Sequence, residues 1–161
     1  MPNSNYAFID STNLHIGIKS QEWTLDYTRF RQYLTDKYHV TKAFMFIGYI
    51  QTNQHLYKSL QEDGYILIFK PTLKIKGRIK GNTDAELVLQ AMIEYPKYDK
   101  AVIVSGDGDF CCLVKYLISK DKLLKLVVPD AHSYSSLFRD FNDYIASMNN
   151  LKGKLEKKRE A

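Results

Sequence analysis

Short apolar segments alternate with amphipathic segments along most of this 161-residue chain. The apolar segments have the length of β-strands and end at polar or turn-forming residues, and they cover 6–10, 42–50, 65–69, 101–105 and 123–128. Apolar residues recur at helical spacing in the segments between them, which predicts helices over 25–40, 54–64, 83–95, 109–120 and, last, from about Ser133 to Met148. The residues between the first strand and the first helix are expected to form a loop.

Strands that are apolar on both faces and alternate with helices favour a parallel sheet covered by helices on both sides. We therefore predict one α/β domain over residues 1–150 with a five-stranded, mainly parallel sheet. The basic tail, 151–161, is expected to be a frayed helix or disordered. Ligands of such sheets bind beyond the carboxyl ends of the strands, so the residues that directly follow a strand are the candidates for chemistry.

Composition narrows the class of protein. Apolar residues make up 45% and charged residues 25%, as in soluble globular domains, and no apolar run is long enough to cross a bilayer. The N-terminus MPNSNYAFID lacks the pattern of a signal peptide, which favours a cytoplasmic protein. The only cysteines, Cys111 and Cys112, are adjacent, and we interpret them as buried free thiols.

The net charge of +5 is concentrated in one internal segment, KPTLKIKGRIK, which we call the basic segment (70–80). It contains no acid. Such a run is either a solvated surface loop or a track for a nucleic-acid backbone. Its position just before a candidate acidic residue favours the second interpretation. The basic residues are Lys70, Lys74, Lys76, Arg78 and Lys80.

Four acidic residues lie at two strand ends and one helix start that the predicted sheet brings to one edge. Asp10 closes the first strand, Asp107 and Asp109 follow the fourth, and Asp84 begins the helix that the capping-box spacing of Thr83 and Glu86 places there. Each acid alone has an ordinary explanation as a turn or cap residue. Their convergence instead favours a hard divalent cation, Mg²⁺ or Mn²⁺, and without it we expect at least one carboxyl pKa to be raised by its like-charged neighbours.

Other kinds of site fit less well. Four histidines, His15, His39, His55 and His132, lack the spacing of a zinc site, and Asp107-Gly108-Asp109 lacks the later acids of an EF-hand loop. The chain contains no glycine-rich phosphate loop and no nucleophile elbow.

Three segments, FIDSTNL (8–14), KGNTDAELVLQAM (80–92) and VIVSGDGDFCCLVKYL (102–117), together resemble the LabA-like branch of the NYN domain family of PIN-like nucleases. Their order and spacing match over most of residues 6–146. The resemblance implies a Rossmann-like sheet of order 3-2-1-4-5 and divalent-metal-dependent cleavage of RNA. By position it makes Asp10, Asp84, Asp107 and Asp109 the metal-binding acids, with Asn13 as their polar companion.

The chain departs from that family pattern at two places. Ser11-Thr12 replaces a small glycine-containing pair, and Gln90 stands where many members have another acid, which removes one possible metal ligand.

Metal-dependent hydrolysis of RNA is the function that these residues favour. The acids would hold the cation, the basic segment would bind the phosphate backbone, and Asn13 or Ser105 would orient a ligand or a water. Two alternatives stay open: a phosphatase acting on small phosphoesters, and an RNA-binding or scaffold module without turnover. The sequence is also compatible with a homodimer.

Overall fold

A computed structural model describes residues 3–49, 54–71, 73–75, 78–80 and 83–158, apart from the side chains of 49, 71, 73–75 and 78–80. Its strands, in chain order, are β1 (Asn5–Asp10), β2 (Val40–Tyr49), β3 (Tyr65–Pro71), β4 (Leu73–Ile75), β5 (Arg78–Lys80), β6 (Ala101–Val104), β7 (Leu123–Val128) and β8 (Ile145–Ser147). Its α-helices are α1 (Ser11–Lys19), α2 (Tyr27–Tyr38), α3 (Gln54–Glu62), α4 (Asp84–Ile93), α5 (Cys111–Ser119) and α6 (Lys152–Leu155).

Six of the strands form one sheet of order β3-β2-β1-β6-β7-β8, and every neighbouring pair in it is parallel. The predicted α/β class, and the 3-2-1-4-5 order of the five predicted strands, are therefore confirmed. The sheet has six strands rather than five. Because β1 and β6 are neighbours, with Ile9 paired to Val104, the residues that follow them meet at one edge of the sheet.

The sixth strand of the sheet, β8, lies in the segment for which the sequence pattern predicted the last helix. The prediction of that helix is wrong. Residues 136–144 form 3-10 turns with non-helical backbone at Phe141 (φ −113°, ψ 24°), and β8 then pairs with β7. Phe138 is fully buried against the sheet. The apolar residues of the 3-10 turns and of the half-buried strand β8 together have a spacing that resembles one helix.

The segment after β1, expected to be a loop, is α1. Asp10 is its N-cap, and the Asp10 side chain accepts from the Asn13 amide. Gly17 lets this helix approach the chain closely, since a Cβ there would lie 2.5 Å from the Pro129 Cβ. A mid-helix glycine in a nine-residue helix weakens the local sequence signal, which explains the missed element.

The basic segment, expected to be a loop, includes an antiparallel pair in which β4 runs against β5. The side chains of Lys74, Arg78 and Lys80 and the whole of Lys76 lie outside the described residues. The Lys70 Nζ lies 3.7 Å from the Glu86 Oε1 of α4, so the start of the segment is held beside the start of that helix.

Apolar side chains fill both faces of the sheet. Alternate residues of β1 point to opposite sides: Ile9 packs with α1 and α2, and Phe8 packs with α4 and α5. The thiol interpretation was wrong on burial, because Cys112 is exposed and Cys111 is half-buried, although both cysteines are free. Within the described part of the chain, no helix combines the length and apolar character that a membrane span requires.

The expectation of a frayed or disordered tail is wrong for residues 151–158. Leu155 is 1% exposed and belongs to the core on the α1 and α2 side. The Asp26 amide donates to the Leu155 carbonyl at 2.8 Å, and the Lys157 amide donates to the Thr24 carbonyl at 2.8 Å. These residues therefore pack as part of the folded unit.

Candidate metal centre

Three of the four predicted acids meet at the carboxyl edge of the sheet. Asp10, Asp84 and Asp107 each place one carboxylate oxygen so that the three oxygens lie within 4.8 Å of one another. We call these residues the carboxylate trio. Asp10 ends β1, Asp107 lies three residues after the end of the adjacent β6, and Asp84 is the first residue of α4. Adjacent parallel strands and one helix start thus bring together acids that are far apart in sequence.

Asp10 is the buried member of the trio, only 5% exposed. Its Oδ1 accepts from the Asn13 amide at 3.2 Å, and its Oδ2 accepts from the Ser105 hydroxyl at 3.0 Å. Burial raises the pKa of Asp10, and the nearby Asp107 charge raises it further, although both hydrogen bonds oppose the shift. The sequence predicted a raised pKa in the cluster from like charges; the direction is confirmed, and desolvation is the larger cause.

Ser105 and Asn13 connect the ends of the two strands. The Ser105 hydroxyl, fully buried, donates to Asp10 and accepts from the Asp107 amide at 3.0 Å. The Asn13 Oδ1 accepts from the Gly106 amide at 2.7 Å. The Ser105 side chain thereby holds the Asp10 carboxylate beside the backbone of Asp107. The Asn13 side chain holds the start of α1, next to Asp10, beside the backbone that precedes Asp107. Asn13, predicted as a catalytic companion of the acids, and Ser105, predicted as a supporting residue, both contact the trio or the backbone beside it.

Asp109 lies outside the carboxylate trio, and its side chain is exposed. Its amide donates to the Asp107 Oδ1 at 2.9 Å, so Asp107 caps the 3-10 turn Gly108–Phe110. The turn Asp107-Gly108-Asp109 therefore combines two roles that the sequence presented as alternatives, because its first acid caps the 3-10 turn and also belongs to the trio. Gly108 is required there, since a Cβ would lie 2.4 Å from the Ser135 Oγ.

Asp84 occupies the start of α4, as the sequence predicted. Thr83 is the N-cap, but its side chain makes no capping hydrogen bond, so the expected capping box is not formed in full. The partial positive charge of a helix N-terminus stabilises a carboxylate at this position. Gln90, the position that departs from the family pattern, donates from its Nε2 to the Glu94 Oε1 at 3.2 Å and is not part of the trio.

Asp130 is an acid that follows a strand and that the sequence interpretation omitted. It comes two residues after β7, and its Oδ1 accepts from the His132 amide at 2.9 Å and from the Asn149 side chain at 3.2 Å. The His132 hydrogen bond is the main reason that the pKa of Asp130 is lowered. Asp130 therefore organises its own loop, and it is not a member of the trio.

The donor set of the trio fits a hard divalent cation. All three side chains offer carboxylate oxygens, which Mg²⁺ and Mn²⁺ prefer, and the spacing places like charges close enough to repel one another. A cation offsets that repulsion.

Asp10→Asn is expected to stabilise the protein when divalent cations are removed. Because the native pKa of Asp10 is raised, the native state binds more protons than the unfolded state as the pH rises above the ordinary aspartate value, and stability falls through that window. Asparagine removes this loss while retaining an N-cap oxygen. At neutral pH in chelator we expect a gain of about 1 kcal/mol, or roughly 2–4 °C in Tm.

Thermal unfolding of both proteins between acidic and neutral pH, with chelator and with Mg²⁺, checks this prediction. Mg²⁺ should raise the Tm of the wild type more than that of Asp10→Asn, which retains two of the three carboxylates. Asp121→Asn is the control: its side chain is 86% exposed, and its ion pair with Lys100 is a surface contact, so the Tm should change little with or without Mg²⁺. A variant less stable than the wild type at every pH would mean that the hydrogen bonds of the charged carboxylate outweigh its burial.

Comparison with known proteins adds a family to this geometry. The family model for the NYN domain matches residues 6–149. The low amplitude and bright protein LabA of Synechococcus elongatus is 24% identical over 167 aligned positions, which cover 97% of this chain and 89% of that protein. A crystal structure of a Vibrio parahaemolyticus protein of unknown function superposes with a TM-score of 0.77 and 22% identity, covering 92% of this chain and 94% of that one.

Proposed function

Because this chain belongs to the NYN domain family, we propose that it is a divalent-metal-dependent ribonuclease with its site at the carboxylate trio. The observation that carries the proposal is the convergence of Asp10, Asp84 and Asp107 within 4.8 Å at the carboxyl edge of a parallel sheet. Ligands of such sheets bind at this edge. The all-oxygen donor set suits a cation that acts on phosphodiesters.

In this proposal the trio holds Mg²⁺ or Mn²⁺, which when bound polarises a phosphodiester oxygen and lowers the pKa of a water. The Ser105 hydroxyl bonds to both the Asp10 carboxylate and the Asp107 amide, so it holds these two groups next to each other. Asn13 accepts from the Gly106 amide, so it holds the start of α1 next to the residue before Asp107. They are positioning residues. The exposed Asp109 forms the outer acidic rim of the site, next to Asp107.

We assign the basic segment to RNA binding rather than to chemistry. Its first residue, Lys70, is ion-paired with Glu86, two residues after Asp84, so the segment and the trio are linked through the start of α4. Lysine and arginine bind phosphates with release of counterions, which supplies affinity without sequence preference. The residues assigned this role are Lys70, Lys74, Lys76, Arg78 and Lys80.

Replacing Lys76, Arg78 and Lys80 with glutamine should weaken RNA binding and flatten its dependence on salt. For single-stranded RNA each lost phosphate contact lowers the slope of log K against log salt by about 0.7. Turnover at saturating RNA should persist, because the trio is unchanged. Binding measured by fluorescence anisotropy over a range of salt concentrations checks this, and an unchanged slope would mean that the segment is a solvated loop.

The proposed activity is tested by incubating the protein with single-stranded RNA, duplex RNA, single-stranded DNA and a small aryl phosphate, with Mn²⁺ and with chelator. Cleavage of RNA that requires Mn²⁺ is the expected result. Hydrolysis of the aryl phosphate alone would favour a phosphatase, and RNA binding without cleavage of any substrate would favour a scaffold module.

A further inference from the structure

The outward face of α4 is apolar, which is the reverse of an ordinary surface helix. Every exposed residue between 84 and 96 is apolar, namely Ala85, Leu89, Met92, Ile93 and Pro96. The acids of the same segment are not exposed: Asp84 and Glu86 are half-buried, and Glu94 is buried. In α2, by contrast, every exposed residue is polar. A helix that is apolar on its outward side as well as its inward side is normally covered by another structure.

The edge strand β3 extends the apolar surface on one flank of α4. The ion pair between Lys70 and Glu86 places the carboxyl end of β3 beside the first turns of α4. Since α4 leads back to β6, which is parallel to β3, the helix runs antiparallel to both strands. The exposed Ile66 precedes Lys70 by about 13 Å on the same side of β3. Ile93 follows Glu86 by about 10 Å on the same side of α4, so the two isoleucines lie at about the same level.

Helix α5 extends the surface on the other flank. The Tyr116 ring contacts the Tyr95 ring at a centroid distance of 6.2 Å, and the Tyr95 amide donates to the Met92 carbonyl. Eight large hydrophobic side chains are exposed in the described part of the chain, and five of them lie on α4 or its two flanks. We call these five the apolar face: Ile66, Leu89, Met92, Ile93 and Tyr116. Single exposed apolar residues are ordinary, whereas a cluster of this kind marks an interaction site.

The size of the apolar face matches what a dimer needs. Its side chains are between 37% and 61% exposed. At roughly 200 Å² for a large side chain, they present on the order of 400 Å² of accessible surface. A standard interface buries about 800 Å² on each partner, and a little over half of that area is apolar. The apolar face therefore supplies the apolar part of one such interface.

The charges at the two ends of α4 fit a second copy of the same chain. Lys70 pairs with Glu86 at one end, and Lys97 pairs with Glu94 at the other, so each end has one acid and one base. When two copies of α4 pack antiparallel about a two-fold axis, the Glu86 end of one copy meets the Lys97 end of its partner. Each acid then faces a base, and no charge lies on the apolar face between them.

We propose that the apolar face is the interface of a homodimer in which the α4 helices of two copies pack antiparallel about a two-fold axis. In this arrangement Leu89 lies against the partner's Ile93, and by symmetry Ile93 lies against the partner's Leu89. The contact covers side chains that are 61% and 53% exposed in one copy. The inference goes beyond the proposed function and does not depend on it, because no residue of the apolar face belongs to the carboxylate trio.

Sedimentation velocity of the full chain at about 1–100 μM tests the interface. The wild type should be a dimer at the upper end of this range. Leu89→Glu should raise the dissociation constant of the dimer at least about hundredfold, because each dimer would bury two carboxylates that lack a partner. Leu56→Glu is the matched control, since Leu56 is an exposed leucine of α3, which packs on the other face of the sheet through Leu60. It should dimerise as the wild type does.

A mixture of two variants tests the register of the helices. Leu89→Glu and Ile93→Lys should each be monomeric alone, and the two should associate when they are mixed. In the mixed dimer one carboxylate faces one ammonium, while the second contact between positions 89 and 93 stays apolar. Thermal unfolding verifies that each variant is folded, and recovery of association in the mixture shows the same. Failure of the folded variants to associate would contradict the antiparallel arrangement.

Three further results would overturn the inference: a wild type that is monomeric at 100 μM, a dimer that Leu89→Glu leaves intact, and equal dissociation by Leu89→Glu and Leu56→Glu. A monomer that co-sediments with phospholipid vesicles through Leu89 would instead assign the apolar face to a membrane surface. A monomer that binds no vesicles would leave a different protein as the occupant. The ribonuclease proposal is tested by RNA cleavage, so either proposal can fail without the other.

Discussion

Asp107→Asn should lower the rate of RNA cleavage by at least about a hundredfold while RNA binding stays equal or becomes tighter. The substitution removes one of the three carboxylate charges that lie within 4.8 Å of one another. Asparagine retains the oxygen that caps the 3-10 turn, so the fold around Gly108 should persist. Loss of a negative charge that faces phosphate favours binding. Single-turnover cleavage and anisotropy, measured on the same RNA, separate the two effects.

Asp109→Asn is the matched comparison, two residues away and chemically identical. Because Asp109 is exposed and lies outside the trio, its substitution should cost less activity than that of Asp107. Equal losses in the two variants would show that the trio does not define the site. Full activity of Asp107→Asn would remove the trio from the chemistry altogether.

Leu155→Ala should destabilise the protein by about 2–4 kcal/mol, since it opens a cavity in a fully packed core. Leu155 is 1% exposed and packs with residues of α1 and α2, although it lies in a segment that reads from sequence as a polar tail. The free energy of unfolding from urea denaturation checks this expectation. Lys152→Ala, an exposed position in the same short helix, is the control and should change stability little.

If Leu155→Ala were as stable as the wild type, the tail would contribute nothing to the core and the domain would end near residue 150. The predicted loss instead places residues 151–158 within the folded unit, through Leu155 and the hydrogen bonds of its neighbours to the loop before α2.

The sheet was largely predictable because its central strands are continuously apolar. Strands β1 and β6 are buried throughout, β2, β3 and β7 are apolar over most of their length, and amphipathic helices separate these strands in the chain, which is a strong pattern. The errors occurred where local pattern and tertiary structure disagree. Residues 136–144 form 3-10 turns that lead into an edge strand, and the α1 segment is helical although Gly17 interrupts it.

The trio was predictable from topology, because acids that end adjacent parallel strands must meet. The sequence could not separate Asp107 from Asp109, since the distinction arises in the 3-10 turn that directs one carboxylate into the cluster and leaves the other exposed.

The most direct test of the central claim is calorimetric titration of Mn²⁺ into the wild-type protein and into Asp107→Asn, without RNA. We predict saturable binding by the wild type and an affinity reduced at least about tenfold in the variant, because one of three carboxylate ligands is lost. Asp121→Asn should bind Mn²⁺ as the wild type does. Equal binding of Mn²⁺ by the wild type and Asp107→Asn, or no binding by either, would contradict a metal centre at Asp10, Asp84 and Asp107.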